Sequence, residues 1–119
     1  KINYYKLEDR VIFHNTIVKE ELLIEYLKKS RVYLCLSKYE GYGMANIESG
    51  TIGLPLVVSD LPVFRENLKG LNRTYVDSRS ARAVADAIIK TSFHDNHINL
   101  RTRKWEDVGF SFKRVLNGQ

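Results

Sequence analysis

Two carboxylates and two glycines stand close together in Glu40-Gly41-Tyr42-Gly43-Met44-Ala45-Asn46-Ile47-Glu48. Glycine admits backbone conformations closed to other residues and lets a ligand come close to the main chain. The residues after Gly43 read as the start of a helix, so the amides of Gly43, Met44 and Ala45 form a natural pocket for an anion. Were Glu40 and Glu48 on one helix, about 12 Å would separate them, too far to act on one atom. With Glu40 in a loop and Glu48 on the second helical turn, they instead bracket an extended ligand. Carboxylates accept from vicinal hydroxyls, as in the ribose sites of dinucleotide-binding folds. The expected ligand carries hydroxyls at both ends and a phosphate between, the layout of a nucleoside-diphosphate sugar. A glycosidase pair fits poorly, since its carboxylates converge on one bond at about 5 to 9.5 Å.

The elements that must position this stretch alternate along the chain. Arg10-Val11-Ile12-Phe13-His14 is a β-type run. Val18 to Lys29 follows as a helix with Leu22, Leu23, Tyr26 and Leu27 on one face. Arg31 to Leu36 is apolar enough to suggest a central strand of a parallel sheet. Ser37 to Gly43 is loop, and a helix from Met44 to about Ile52 is closed by Gly53. Leu56 to Ser59 is a strand, Pro62 starts a short helix through Asn67, and Thr74 to Val76 is a strand. Ser80 caps a helix running to Thr91, and Leu100 to Leu116 reads as one or two more. Short connections between alternating strands and helices predict an α/β fold: one Rossmann-like parallel sheet with flanking helices.

Composition narrows the field. The 119 residues suffice for one domain, 1–119, and carry 44% hydrophobic and 28% charged residues. No apolar run reaches the roughly 18 to 20 residues that span a membrane. A net charge of +5 favours anionic partners, but no nucleic-acid recognition motif accompanies it. The single Cys35 excludes an intramolecular disulfide and, inside an apolar run, reads as a buried thiol. The paired histidines of His94-Asp95-Asn96-His97 read as a surface turn rather than a metal site. Arg101, Arg103 and Lys104 read as an exposed basic face. Tyr42 suits a stacking platform and a ring packed over its own glycines equally well. The first residues lack an initiator Met and a signal-peptide core, so the chain is expected to be part of a longer one.

From Val11 to Val76 the order of motifs resembles the C-terminal, nucleotide-sugar-binding domain of retaining glycosyltransferases with two Rossmann-like domains, the GT-B fold of glycosyltransferase family 4 type. The resemblance is carried by Val11 to Asn15, Glu20-Glu21-Leu22, Ser37, Glu40 to Glu48, Gly53-Leu54-Pro55 and Ser59-Asp60-Leu61-Pro62. Phe64-Arg65-Glu66, Tyr75-Val76-Asp77 and Lys104-Trp105-Glu106 continue it in order. It implies that Glu40 meets the transferred sugar near the reacting face, as the catalytic candidate. Gly41 and Tyr42 would complete the donor loop, the amides of Gly43, Met44 and Ala45 would hold the diphosphate, and Glu48 the ribose. His14 and Asn15 would lie near the base. It further implies transfer with retention, no metal or other cofactor, and a cytoplasmic enzyme partnered by an N-terminal acceptor domain, with peripheral contact at the membrane's inner face as a further option. Asn15 stands where the family has Gly, and Gly50 interrupts an Ala-rich segment, weakening that helix by roughly 1 kcal/mol relative to Ala. Two opening strands and a basic pair of the family's domain have no counterpart here, so this polypeptide alone is expected to be inactive. The competing reading is a non-catalytic nucleotide-binding or interaction module of the same fold.

Overall fold

A computed structural model describes residues 1–93. The expected late helices, His94 to His97, the basic cluster and Lys104-Trp105-Glu106 lie outside the described residues. After a single 3-10 turn at Asn3–Tyr5, the elements are α1 (Glu20–Lys29), β1 (Tyr33–Cys35), α2 (Met44–Thr51), β2 (Leu56–Ser59), α3 (Pro62–Asn67), β3 (Arg73–Val76) and α4 (Ala81–Phe93). The three strands form a parallel sheet in the order β1-β2-β3, with Tyr33 opposite Leu56 and Leu56 opposite Arg73. This is the α/β, Rossmann-like arrangement that the alternation predicts.

β2 is the middle strand, and all four of its residues are buried. Because side chains alternate along a strand, it feeds two cores. Leu56 and Val58 pack with Ile47 of α2 and with Phe64 and Leu68 on the α3 side. Val57 points the other way, to Val76, Val84 and Ala87. Helices thus cover both faces, as a parallel sheet requires. Each of these side chains except Ala87 contributes on the order of 1.5 to 3 kcal/mol by leaving water.

The local signals for α2, α3 and α4 hold. Gly53, at φ 97°, receives the chain leaving α2, where its amide donates to the Gly50 carbonyl and Leu54 donates to Ser49. That bond pair satisfies carbonyls that would otherwise be orphaned at the helix end. Pro62 occupies the first turn of α3. Ser80 caps α4, its Oγ accepting from the Ala83 amide at 3.2 Å.

Three expectations need correction. Arg10 to His14 forms no strand: the Arg10 and Val11 amides turn back to the Leu7 carbonyl, and Ile12 and Phe13 are about four-fifths exposed. β composition alone does not make a strand without an edge to pair with. β1 is accordingly an edge strand among the described residues, with Leu34 at 43% exposure, rather than a central one. On α1 the best-shielded residues are Ile24 and Leu27, while Leu22, Leu23 and Tyr26 stay exposed and no residue is fully buried.

Gly50 also changes meaning. It is buried in α2 where the helix meets the sheet, and a Cβ there would sit 2.8 Å from Leu71 Cδ1 and 3.0 Å from Leu56 Cδ1. Leu56 is fully enclosed and cannot retreat. The missing side chain sets the helix-to-sheet distance, and overpacking costs typically 1 to 3 kcal/mol. Gly50→Ala is therefore expected to give no gain in stability despite the better helix former. A denaturant midpoint above that of the unsubstituted chain would show that the helix, not the packing, limits this position.

Candidate functional site

Glu40 lies in the exposed loop that leaves β1, four residues ahead of α2, and Glu48 sits half-buried on the second turn of α2. The placement expected from their spacing, one carboxylate in the loop and one on the helix, is what forms. α2 is enclosed along Asn46, Ile47, Ser49, Gly50 and Thr51, so Met44, Ala45 and Glu48 are left on its accessible side. Ser49 and Thr51 satisfy their hydroxyls by donating to the carbonyls of Ala45 and Ile47, each at 2.7 Å. Two polar side chains can therefore be buried in one short helix without orphaned hydroxyls.

The chain enters α2 through Gly43 in the left-handed conformation, φ 82°. The Gly43 carbonyl accepts from the Asn46 and Ile47 amides, both at 3.1 Å. The amides of Gly43, Met44 and Ala45 donate to no acceptor among the described residues. They form the first turn of a helix at the carboxyl end of a parallel strand, where the helix dipole favours negative charge. In open α/β sheets this is where ligands bind.

The two glycines are not equivalent. A Cβ on Gly43 would stand 2.7 Å from Phe64 Cε1 and 3.2 Å from Asn46 Nδ2. Phe64 is fully buried, so Gly43 is required both by its φ and by the ring packed beneath it. Gly41 has ordinary φ and nothing within 4 Å of a built Cβ. Its freedom lies on the open side, where a ligand would approach.

Four residues to which the sequence assigned no role in the site surround the loop. Phe64 fills the space behind Gly43. Asn67, at the end of α3, donates through Nδ2 to the Tyr42 carbonyl at 3.0 Å, tying the loop to a helix 25 residues away. Asn46 is buried below Gly43, its Nδ2 without a partner among the described residues. Tyr33 of β1 is half-buried; burial raises its phenol above the ordinary range, and the nearby Cys35, Glu40 and Glu48 charges push the same way. Both carboxylates thus reach one phenol electrostatically. No short-range signal marks these roles, since each depends on a neighbour brought in by the fold.

His14 stands apart. Its ring lies 5.1 Å from that of Tyr26, and no hydrogen bond or ring contact joins His14 or Asn15 to residues 40–48. Tyr42 is partly exposed beside the glycines. Among the described residues no three His, Cys, Asp or Glu side chains converge as a metal cluster would. No helix there is long and apolar enough to cross a membrane.

A parallel α/β sheet carries, at the end of β1, a helix start with unpaired amides between two carboxylates. Comparison with known proteins gives the lineage. Residues 1–103 match the family model of glycosyl transferases group 1, and the chain belongs to that family. It is 26% identical over 112 residues to the serotype-specific mannosyltransferase WbdA of Escherichia coli, covering 89% of this chain and 14% of that protein. It is 27% identical over 94 residues to the O-antigen biosynthesis glycosyltransferase WclY of Escherichia coli, covering 79% of this chain and 26% of WclY. To the GDP-mannose:cellobiosyl-diphosphopolyprenol alpha-mannosyltransferase of Xanthomonas oryzae pv. oryzae (strain PXO99A) it is 29% identical over 97 residues, 80% of this chain and 25% of the relative. The chain thus spans about a quarter or less of the length of these relatives. No solved structure matches it at a significant level.

Gly43→Ala is expected to destabilise the chain by about 2 kcal/mol or more, from the left-handed φ together with the clash on Phe64. Gly41→Ala should stay within about 0.5 kcal/mol of the unsubstituted chain. Chemical denaturation of the pair checks the distinction; equal midpoints would remove the special role of Gly43.

Proposed function

We propose that this chain forms the donor-binding portion of a retaining glycosyltransferase, using a nucleoside-diphosphate sugar as donor. The observation that carries the reading is the set of unsatisfied amides at Gly43, Met44 and Ala45, flanked by Glu40 in the loop and Glu48 on α2. The diphosphate sits on the amides. Glu48 accepts from the ribose hydroxyls and Glu40 from hydroxyls of the sugar to be transferred. Gly41 gives that sugar room, and Tyr42 borders it. His14 and Asn15 serve the base in the assembled site. The names of the relatives, two of them mannosyltransferases and one of these GDP-mannose-dependent, support a sugar-nucleotide donor.

The chemistry follows from charge. As the bond between the anomeric carbon and the diphosphate oxygen breaks, negative charge gathers on that oxygen and positive charge on the sugar ring. Helix amides already aimed at the diphosphate stabilise the first without reorganising. Glu40, on the sugar side, faces the second. The acceptor hydroxyl attacks from the face the diphosphate leaves, and its proton passes to the departing diphosphate oxygen. The anomeric configuration is thereby kept. The amides, rather than a metal, balance the charge on the leaving group. The acceptor is supplied by a separate N-terminal domain of the parent protein, working in the cytoplasm with access to the membrane's inner face.

Two outcomes test this reading. Calorimetric titration with GDP, UDP and ADP should show binding of at least one, weakened about tenfold or more by Glu48→Ala, which removes hydrogen bonds to a charged acceptor. Failure of all three to bind, or unchanged affinity in the variant, would sink the donor site. The chain by itself should transfer no sugar from GDP-mannose to a saccharide or lipid-linked acceptor. Product above a mock-purified background would refute the dependence on a second domain.

A further inference from the structure

The amides of the proposed donor site are aimed in two different ways. Met44 and Ala45 belong to α2, and the Met44 amide shares its peptide plane with the Gly43 carbonyl, which the Asn46 and Ile47 amides hold at 3.1 Å. In a planar trans peptide the carbonyl and the N–H point in opposite directions, so a held carbonyl fixes the amide that follows it. The Gly43 amide lies one peptide outside this helical ladder. Its plane is shared with the Tyr42 carbonyl, which accepts from Asn67 Nδ2 at 3.0 Å.

The 42–43 peptide is also open to turning over. A flip reverses the sign of φ at Gly43, which stands at 82°, and glycine takes either sign about equally well. It would place the Tyr42 oxygen where the Gly43 N–H stands, so that a diphosphate met the negative end of a peptide dipole instead of a donor. The Asn67 bond opposes that flip. By polarising the peptide it also strengthens the Gly43 N–H as a donor, on the order of 10 to 30%.

Asn67 acts from a fixed base. It lies between Phe64 and Leu68, both fully buried. Arg65 forks onto Asp60 at 2.5 and 2.8 Å and lays its guanidinium over the Tyr75 ring, 4.8 Å from the centroid. The Tyr75 hydroxyl donates to the Phe64 carbonyl at 3.1 Å and accepts from Arg73 Nε at 2.9 Å. α3 is thus tied to the end of β2 and to β3, and Asn67 with it. Only the nitrogen of an asparagine amide can donate to a carbonyl oxygen, so the Tyr42 acceptor also settles which way the side chain is turned. We propose that Asn67 is a positioning residue of the donor site, aiming the Gly43 N–H at the diphosphate through the Tyr42 carbonyl. The role rests on the donor reading, but the direction of the N–H is set with or without ligand.

The one-bond N–H residual dipolar coupling of Gly43, measured on the ligand-free chain, reads that direction, and calorimetry with GDP, UDP and ADP reads its use. Asn67→Ala should change the Gly43 coupling while leaving those of Ala45 and β2 in place. It should weaken whichever nucleotide binds by about fivefold, the effect of one misdirected donor. The unfolding midpoint should stay close to that of the unsubstituted chain, because Asn67 is only partly covered and Ala is the better helix former. Asn67→Asp, equal in shape but with no donor at neutral pH, should move the Gly43 coupling likewise. A Gly43 coupling unchanged in both variants overturns the proposal. So does a changed coupling with undiminished nucleotide affinity, which would leave Asn67 a structural residue. A Gly43 coupling that changes in a chain binding none of the three nucleotides upholds the aiming by Asn67 and rejects the nucleotide reading instead.

Discussion

Everything in the described structure hangs on β2. Its four consecutive residues can all be buried because β1 and β3 satisfy the backbone on both sides. The alternation of Leu56 and Val58 against Val57 then dictates a helix layer on each face. From this sandwich the rest follows. α2 lies at a distance set by Gly50, α3 brings Phe64 beneath the loop, and the start of α2 projects beyond the end of β1 with its amides unpaired.

The site inherits its geometry from that packing more than from its own residues. Gly43 cannot move toward the core, because Phe64 occupies the space, and cannot easily flip, because its carbonyl caps two amides of α2. Asn67 holds the neighbouring Tyr42 carbonyl from outside. The loop is thus fixed at two adjacent residues by one short helix. The unpaired amides come preorganised, and in the proposed reaction that is the condition under which electrostatic stabilisation of a leaving group costs no reorganisation.

Much of this was legible in the sequence because it rests on local chemistry. Pro62, Ser80 and Gly53 each mark a helix end through a steric or hydrogen-bonding preference that needs no distant partner. The placement of Glu40 in a loop and Glu48 on a helix followed from the same signals. What stayed illegible is what depends on neighbours. The run from Arg10 to His14 has strand composition, but its first amides are taken by a turn at Leu7 and no strand edge receives the rest. Gly50 reads as a weak helix residue until Leu56 and Leu71 are placed over it. Membership of the glycosyl transferases group 1 family was carried by the order of short motifs, and that order survives where single elements do not form.

α1 has a consequence for cooperativity. With no residue fully buried and only Ile24 and Leu27 shielded in part, it adds little to the apolar surface that unfolding exposes. Denaturant sensitivity scales with that surface. The slope of an unfolding curve therefore reports the unit from β1 to α4, while residues 1–30 can open and close at small cost without registering in it.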